Sequence, residues 1–190
     1  MKPTPRPDHT PLKKLLSGVQ RRRAQIAESL EQERLLKAEY DNWMRDTAPT
    51  DAERLVLIMP RKTQLDLHPA YRQRLERELG EGITALAAEA DKFRAALVRA
   101  YSQELDAKAT EVAEVLRPLF PDEINPINSQ RTDRALNLAR QSKDCTALHA
   151  RIVELEGIRW ADQPRSNNPS QWDGELLTAV ESLLRFGENS

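Results

Sequence analysis

An uninterrupted apolar stripe in the middle of the chain limits most strongly what the chain can fold into. Steps of three or four residues reach only apolar side chains there: Leu86, Ala90, Phe93, Leu97, Tyr101, Leu105, Ala109, Val112, Leu116 and Leu119. This spacing places all of them on one face of an α-helix. Because an apolar face of this length has to be covered, the pattern predicts a long helix, from about Ile83 to Arg117, that packs against another helix.

The N-terminal part of the chain contains a second helical pattern that can supply this cover. Thr10 is a suitable N-cap, and Pro11 suits the first helical position because its ring fixes a helical φ angle. A heptad seam then extends to about Asp46. Its apolar members are Leu12, Leu16, Val19, Ile26, Leu30, Tyr40 and Met44, and its interruptions are Arg23, Glu33 and Lys37. We therefore expect this helix to pack antiparallel on the long helix as a hairpin.

Between the two long helices, prolines and glycines predict shorter ones. The apolar run from Leu55 to Met59 has no second strand-like run to pair with, so we assign it to a short buried helix ended by Pro60. Pro69 opens the next helix, and the glycine pair Gly80 and Gly82 ends or kinks it. The hairpin is therefore expected to contain short intervening helices.

The C-terminal part of the chain predicts a set of smaller helices. Three closely spaced prolines come after the long helix: Pro118, Pro121 and Pro126. They predict a stiff connector over 119–128. The next helix carries an apolar stripe: Ala135, Leu138, Cys145, Leu148, Ile152 and Leu155. Gly157 ends this helix, a polar loop covers 161–170, and a last helix extends from Ser170 to Gly187.

Together these patterns predict an all-α fold, namely an elongated antiparallel long-helix hairpin of coiled-coil type with a smaller C-terminal set of helices. Charged residues make up 31% of the chain and aromatic residues 5%, which is typical of exposed helices with many salt bridges. We divide the chain into a flexible, proline-rich basic arm over 1–9, the hairpin over 10–120 and a C-terminal helical subdomain over 121–190.

Positive charge is concentrated near the start of the chain. The whole chain has a net charge of −1, whereas residues 1–23 hold seven Lys or Arg against Asp8 alone, a balance of +6. Such a segment attracts phosphates, acidic proteins or anionic surfaces. The candidate partner-binding or nucleic-acid-binding residues are therefore Lys2, Arg6, Lys13, Lys14, Arg21, Arg22 and Arg23.

The common motifs of catalysis and metal binding are missing from the sequence. It contains no Gly-rich phosphate loop, no His-Glu-x-x-His, no Cys-x-x-Cys and no Gly-x-Ser-x-Gly. Cys145 and His149 are adjacent on one helical face, but two ligands without a third do not hold a metal, and Cys145 lies on the apolar stripe. We expect no catalytic residue, no metal site and no cofactor.

The sequence also predicts where the protein resides. Its longest apolar run, Leu55 to Met59, is far shorter than the roughly 20 residues that cross a bilayer. The single Cys145 excludes a disulfide within the chain, and no apolar signal segment follows Met1. We expect a cytoplasmic protein that does not associate with membranes.

Two functions remain open from the sequence. The first is a non-enzymatic α-helical assembly or adaptor protein that binds other protein helices or forms homo-oligomers, because the strongest pattern is an apolar helical stripe. The alternative is a nucleic-acid-binding accessory protein that contacts phosphates with its basic N-terminal segment. We rank the first above the second because the chain has no clear helix-turn-helix or zinc-finger signature.

Overall fold

The computed structural model describes residues 5–46, 52–120, 134–160 and 169–188. These ranges contain five helices: α1 (Thr10–Asp46), α2 (Ala52–Leu116), α3 (Arg134–Arg140), α4 (Lys143–Gly157) and α5 (Pro169–Glu188). A 3₁₀ turn over Arg117–Leu119 follows α2, and no strand occurs in the described ranges. The predicted all-α class, with a long-helix pair and smaller C-terminal helices, is therefore confirmed. Most of the predicted connector and loop, over 119–128 and 161–170, lies outside the described residues.

Helix α2 is continuous through the prolines and glycines that predicted breaks. Its 65 residues include Pro60, Pro69, Gly80 and Gly82. The predicted helix end at Pro60, the predicted start at Pro69 and the predicted break at the glycine pair are therefore wrong. A proline inside a helix costs about 3 kcal/mol, but the packing of a buried face can outweigh such local preferences. Buried side chains precede and follow the prolines along α2: Ile58, Leu75, Leu79, Ile83 and Leu86.

The chain forms two compact units. We call Lys13–Ala87 the hairpin unit, and we call Met1–Leu12 together with Ala88–Ser190 the C-terminal unit. Helix α2 contributes to both of them. The sequence-based division into an arm, a hairpin and a C-terminal subdomain followed prolines and periodicity, and it stays a prediction.

In the hairpin unit, α1 and α2 pack antiparallel along a seam with heptad spacing. On α1, alternating steps of three and four residues reach buried or half-buried positions: Val19, Arg22, Ile26, Ser29, Glu33, Leu36, Tyr40 and Trp43. On α2 the same spacing reaches Ile58, Arg61, Leu65, His68, Arg72, Leu75, Leu79, Gly82 and Leu86. A Cβ at Gly82 would lie 3.5 Å from Cγ2 of Val19, so this glycine lies in the seam and does not end a helix.

The seam of α1 differs from the predicted one by one residue at several positions. Leu16 and Val19 are buried as expected. Three predicted seam positions are exposed instead: Leu30, Lys37 and Met44. The residue before each of them lies in the seam: Ser29, Leu36 and Trp43. The prediction favoured the more apolar residue at two of these steps, whereas the folded hairpin accepts Ser29 because a side chain on α2 pairs with it.

In the C-terminal unit, the second part of α2 packs with α3, α4 and α5. One buried cluster combines small side chains from three of these helices: Ala109, Ala113, Ala135, Ala139 and Cys145. Towards α5, the ring of Phe93 lies so close to Gly187 that a Cβ there would be 3.1 Å from Cζ. The predicted stripe is buried or half-buried from Leu86 to Leu116, whereas Leu119 is 71% exposed.

The helix predicted from Ala135 to Gly157 is two helices in the structure. A turn separates α3 from α4, and the Ser142 side chain accepts a hydrogen bond from the backbone nitrogen of Cys145 at 3.4 Å. Ser142 is therefore the N-cap of α4. The apolar stripe shifts by one residue at this junction, since Leu138 is 45% exposed and Ala139 is buried.

Candidate functional site

The cations predicted to bind a partner have different surroundings in the structure. The hairpin unit contains five of them: Lys13, Lys14, Arg21, Arg22 and Arg23. Arg6 belongs to the C-terminal unit, and Lys2 lies outside the described residues. Lys14 and Arg21 are exposed and lie seven residues apart, which puts them on one face of α1. The sequence-based set is thus divided between the two units, with Lys2 outside the described residues.

Arg6 is held by side chains of its own unit. Its guanidinium lies 3.8 Å from the ring centre of Tyr101, and its Nη2 donates to Oε2 of Glu104 at 2.8 Å. The side chain is 19% exposed, and Nη1 is buried with no hydrogen-bond partner among the described residues. A partner that binds Arg6 would therefore have to displace both an aromatic contact and an ion pair.

Arg22 also has partners within the chain. Its Nη2 lies 2.6 Å from Oε2 of Glu78, and its Nη1 donates to Gln25 at 2.8 Å. Glu78 accepts a further hydrogen bond from Arg74. That hydrogen bond, with the positive charges of Arg22, Arg74 and Arg77, holds the pKa of Glu78 below its ordinary value. Arg22 therefore forms an ion pair between α1 and α2 within the hairpin.

Polar pairs occupy the middle of the hairpin seam. Ser29 is 2% exposed, and its Oγ lies 3.4 Å from Nδ1 of His68. One turn further along α1, Glu33 forms an ion pair with Arg72, and each of these side chains is 25% exposed. Replacing a buried ion pair with well-packed apolar side chains of similar volume is often neutral or stabilising, so such a pair adds little to stability. This section of the seam is therefore not an apolar core.

A groove runs along one side of this polar section. It has a volume of about 560 Å³ and is lined by Gln32, Leu35, Leu36 and Glu39 of α1 and by Gln64, Leu67, His68 and Tyr71 of α2. Each helix thus contributes positions i, i+3, i+4 and i+7, which form one helical face. Leu35, Leu67 and Tyr71 are 50%, 62% and 49% exposed. An open groove between two helices with apolar walls is the type of surface that accepts another helix.

Large exposed apolar side chains are concentrated in the hairpin unit. Eight of them lie there: Leu30, Leu35, Met44, Val56, Leu57, Met59, Leu67 and Tyr71. The C-terminal unit has four among its described residues: Val115, Leu119, Leu138 and Val153. The hairpin unit therefore combines a polar section inside its seam with apolar side chains on its outside. The heptad assignment of the sequence missed this because it placed Leu30 and Met44 inside the seam.

The C-terminal unit contains two smaller cavities, of about 400 Å³ and 340 Å³. The larger is bordered by Arg94, which donates to the Ile158 carbonyl, pairs with Asp91 and lies 4.9 Å from the ring centre of Trp160. The smaller lies beside Tyr101, whose hydroxyl donates to a backbone carbonyl of α5. These side chains connect α2 to neighbouring elements, and we assign them a packing role.

The structure places Cys145 in the core of the C-terminal unit. This thiol is fully buried beside α2 and α3, so a substrate cannot reach it. Across the ranges that the structure describes, no three His, Cys, Asp or Glu side chains are grouped so as to hold a metal ion. In the same ranges, every helix is too short or too polar to span a membrane.

The comparison with known proteins adds no relative. No protein family, no curated protein and no solved structure matches the chain. The fold and the groove define an all-α helical-hairpin protein, and its function has to be inferred from the geometry of its own side chains.

Proposed function

We propose that the protein is a non-enzymatic helical assembly protein whose hairpin unit packs against the helices of a second copy or of another protein. One observation carries this proposal: the hairpin places Ser29 and the Glu33–Arg72 pair in its seam while Leu35, Leu67 and Tyr71 face solvent. Exposed apolar patches with polar neighbours are typical of protein interaction sites.

The energetics of the exposed side chains support an assembly role. Covering a half-exposed leucine or tyrosine contributes about 1 kcal/mol at roughly 25 cal/mol per Å² of apolar surface. Leu35, Leu67 and Tyr71 lie on one groove, so a single packed helix removes all three from water. The exposed ion pairs on the outside of α1, such as Arg34 with Glu31, contribute little by comparison. Apolar contact is therefore the main driving force for association.

We further propose that the protein catalyses no reaction and that it resides in the cytoplasm. We assign no reaction to the protein, because the one deep thiol, Cys145, is closed off by packing and the groove is lined mainly by apolar and amide side chains. A single buried cysteine suits a reducing compartment, so we place the protein in the cytoplasm.

The alternative is nucleic-acid binding through the basic N-terminal segment. Lys14 and Arg21 favour it because they are exposed on one face of α1. Arg6 and Arg22 favour it less, because each already pairs with a carboxylate of its own unit. Contacts to phosphates from these two arginines would have to replace existing ion pairs. We therefore rank this alternative second.

Light scattering coupled to gel filtration tests the two functions against each other. The monomer mass is 21.7 kDa, and we expect a larger mass that grows with protein concentration and does not respond to duplex DNA. The measurement is made at low and at moderate salt, because phosphate contacts weaken steeply as salt rises. A shift that requires DNA and disappears at moderate salt would contradict the proposal and favour the alternative.

A further inference from the structure

The two walls of the hairpin groove are alike. Gln32 on α1 matches Gln64 on α2, and Leu35 matches Leu67. The next residue on each wall, Leu36 or His68, belongs to the seam. In the antiparallel hairpin, the pairs Glu33–Arg72 and Glu39–Arg61 bracket the two leucines, which puts them at the same level on opposite walls. A patch with two equivalent walls is self-complementary, as the shared interface of a twofold dimer has to be.

We propose that this groove binds the same groove of a second copy. The two hairpin units then form a four-helix bundle around a twofold axis parallel to the helices, and α1 of each copy packs on α2 of the other. Leu35 of one copy meets Leu67 of the second copy, and the twofold axis repeats this contact. This inference rests on the proposed function and names its partner.

Charges at one end of the groove favour this arrangement. Glu28 lies seven residues before Leu35, and Arg74 lies seven residues after Leu67, so both are on the groove face and at one level of the hairpin. Glu28 is exposed, and the Arg74 side chain is 75% exposed. Arg74 already donates from Nε to Glu78 of its own helix, and among the described residues its two terminal nitrogens have no partner, so a carboxylate of the second copy can bind there without displacing Glu78. Packing α1 of one copy on α2 of the other brings Glu28 opposite Arg74 twice. Opposite charges across an interface fix its register.

The other twofold arrangement places like charges together. With the axis perpendicular to the helices, α1 packs on α1, and Leu35 meets Leu35 of the second copy. Counting equal steps from that contact, Glu39 reaches the level of Glu31 of the second copy, and Arg74 approaches the level of Arg61 on α2. Juxtaposed like charges oppose association, so the structure favours the parallel axis.

The size of the groove face predicts a weak dimer. From Glu28 to Glu39 the groove face is about 17 Å long, and two helices each roughly 10 Å across then bury about 700 Å² over both copies, which is in the range of weak, transient interfaces. We therefore expect self-association at micromolar concentrations and above. An interface of this size is sensitive to the loss of one central apolar contact.

Cysteine cross-linking of the full chain separates the two arrangements. Leu35→Cys and Leu67→Cys are made as separate variants, one with a tag that distinguishes its mass, and are oxidised alone and as a mixture. The native Cys145 is fully buried and does not compete. We expect at least about tenfold more mixed dimer than dimer of either variant alone, because disulfides require Cβ atoms within about 4.5 Å. Cross-linking of Leu35→Cys with itself would overturn the parallel-axis arrangement.

Sedimentation velocity between about 1 and 200 µM measures the role of the groove. Leu67→Glu is expected to raise the dimer Kd about tenfold or more, whereas Met44→Glu, on an exposed position of α1 outside the groove, changes it less than about twofold. Glu28→Arg and Arg74→Glu each raise Kd, and the double variant restores it. Because all these side chains are exposed, we expect circular dichroism to show the same helix content in each variant as in the wild-type chain.

The failures of this inference and of the proposed function are distinguishable. If the Leu67→Glu variant self-associates as well as the wild-type chain, the interface lies on another surface. That result would overturn the groove as the dimer interface but would leave the assembly function standing. A chain that is monomeric up to 200 µM overturns the second copy as partner. Only a DNA-dependent, salt-sensitive mass shift contradicts the assembly function itself.

Discussion

At the scale of single residues, polar side chains in the hairpin seam are the least expected feature of the protein. Ser29 and Glu33 lie where a coiled coil ordinarily carries apolar residues, and each has a polar neighbour on α2. A buried polar group costs free energy when it loses its partner. We therefore expect the pairs to disfavour other registers of α1 against α2, in which these groups would not meet.

The Glu33–Arg72 pair gives a direct test of this role. We expect Arg72→Leu alone to lower the free energy of unfolding by about 1 to 3 kcal/mol, because it leaves the partly buried Glu33 carboxylate without its main cationic partner. Replacing both residues with leucine is expected to restore or exceed the original stability, since apolar packing replaces an ion pair. Urea unfolding followed by circular dichroism measures both changes.

A matched control comes from an exposed pair on the same helix. Arg34 lies 2.7 Å from Glu31, and their side chains are 68% and 56% exposed. We expect Arg34→Leu to change the free energy of unfolding by less than about 0.5 kcal/mol, because water screens this pair. Equal effects of Arg34→Leu and Arg72→Leu would show that burial in the seam does not matter.

At the scale of secondary-structure elements, the sequence analysis predicted helix ends that the structure does not have and missed a helix start that it does have. Pro60 and Pro69 predict helix ends, yet α2 continues through both because its buried face packs before and after them. Ser142 was not taken as a helix start, yet its side chain caps α4 and divides the predicted helix. Packing along α2 therefore outweighed the local preference of the prolines, whereas at Ser142 a local capping hydrogen bond divides the helix.

Two glycines inside helices are expected to respond oppositely to alanine. Apart from the neighbouring backbone of α1 itself, no described atom lies within 4 Å of a Cβ placed at Gly18, so Gly18→Ala should raise the free energy of unfolding by about 0.5 to 1 kcal/mol. At Gly187 in α5, the Cβ would lie 3.1 Å from the buried ring of Phe93. We expect Gly187→Ala to be neutral or destabilising. Thermal melts of the two variants beside the wild-type chain measure the difference, and an equal gain in both would contradict the close approach at Phe93.

At the scale of the whole molecule, charge does little to keep copies apart. The net charge is only −1, although 31% of the residues are charged. Copies of a nearly neutral chain repel one another weakly, which promotes association. The exposed apolar side chains of the hairpin unit can therefore act without an electrostatic barrier.

Self-association makes a prediction for the stability of the whole chain. Because a partner that binds only the folded state stabilises it by mass action, Tm should rise with protein concentration. For a micromolar dimer we expect a rise of about 2 to 4 °C between 2 and 200 µM. Scanning calorimetry or fluorescence melts at both concentrations measure it. The Leu67→Glu variant should show little dependence, and a wild-type Tm that does not change with concentration would argue against dimerisation.

The sequence by itself determined the helical class, the stripe from Leu86 to Leu116 and the existence of a long-helix pair, because a period near 3.6 residues is a property of the chain alone. It did not determine which side chains of α1 enter the seam. Tertiary structure placed Ser29 and Glu33 inside and left Leu30 and Leu35 outside. The physical reason is that a polar side chain can be buried only where a partner meets it, and the partners, His68 and Arg72, lie 39 residues away along the chain.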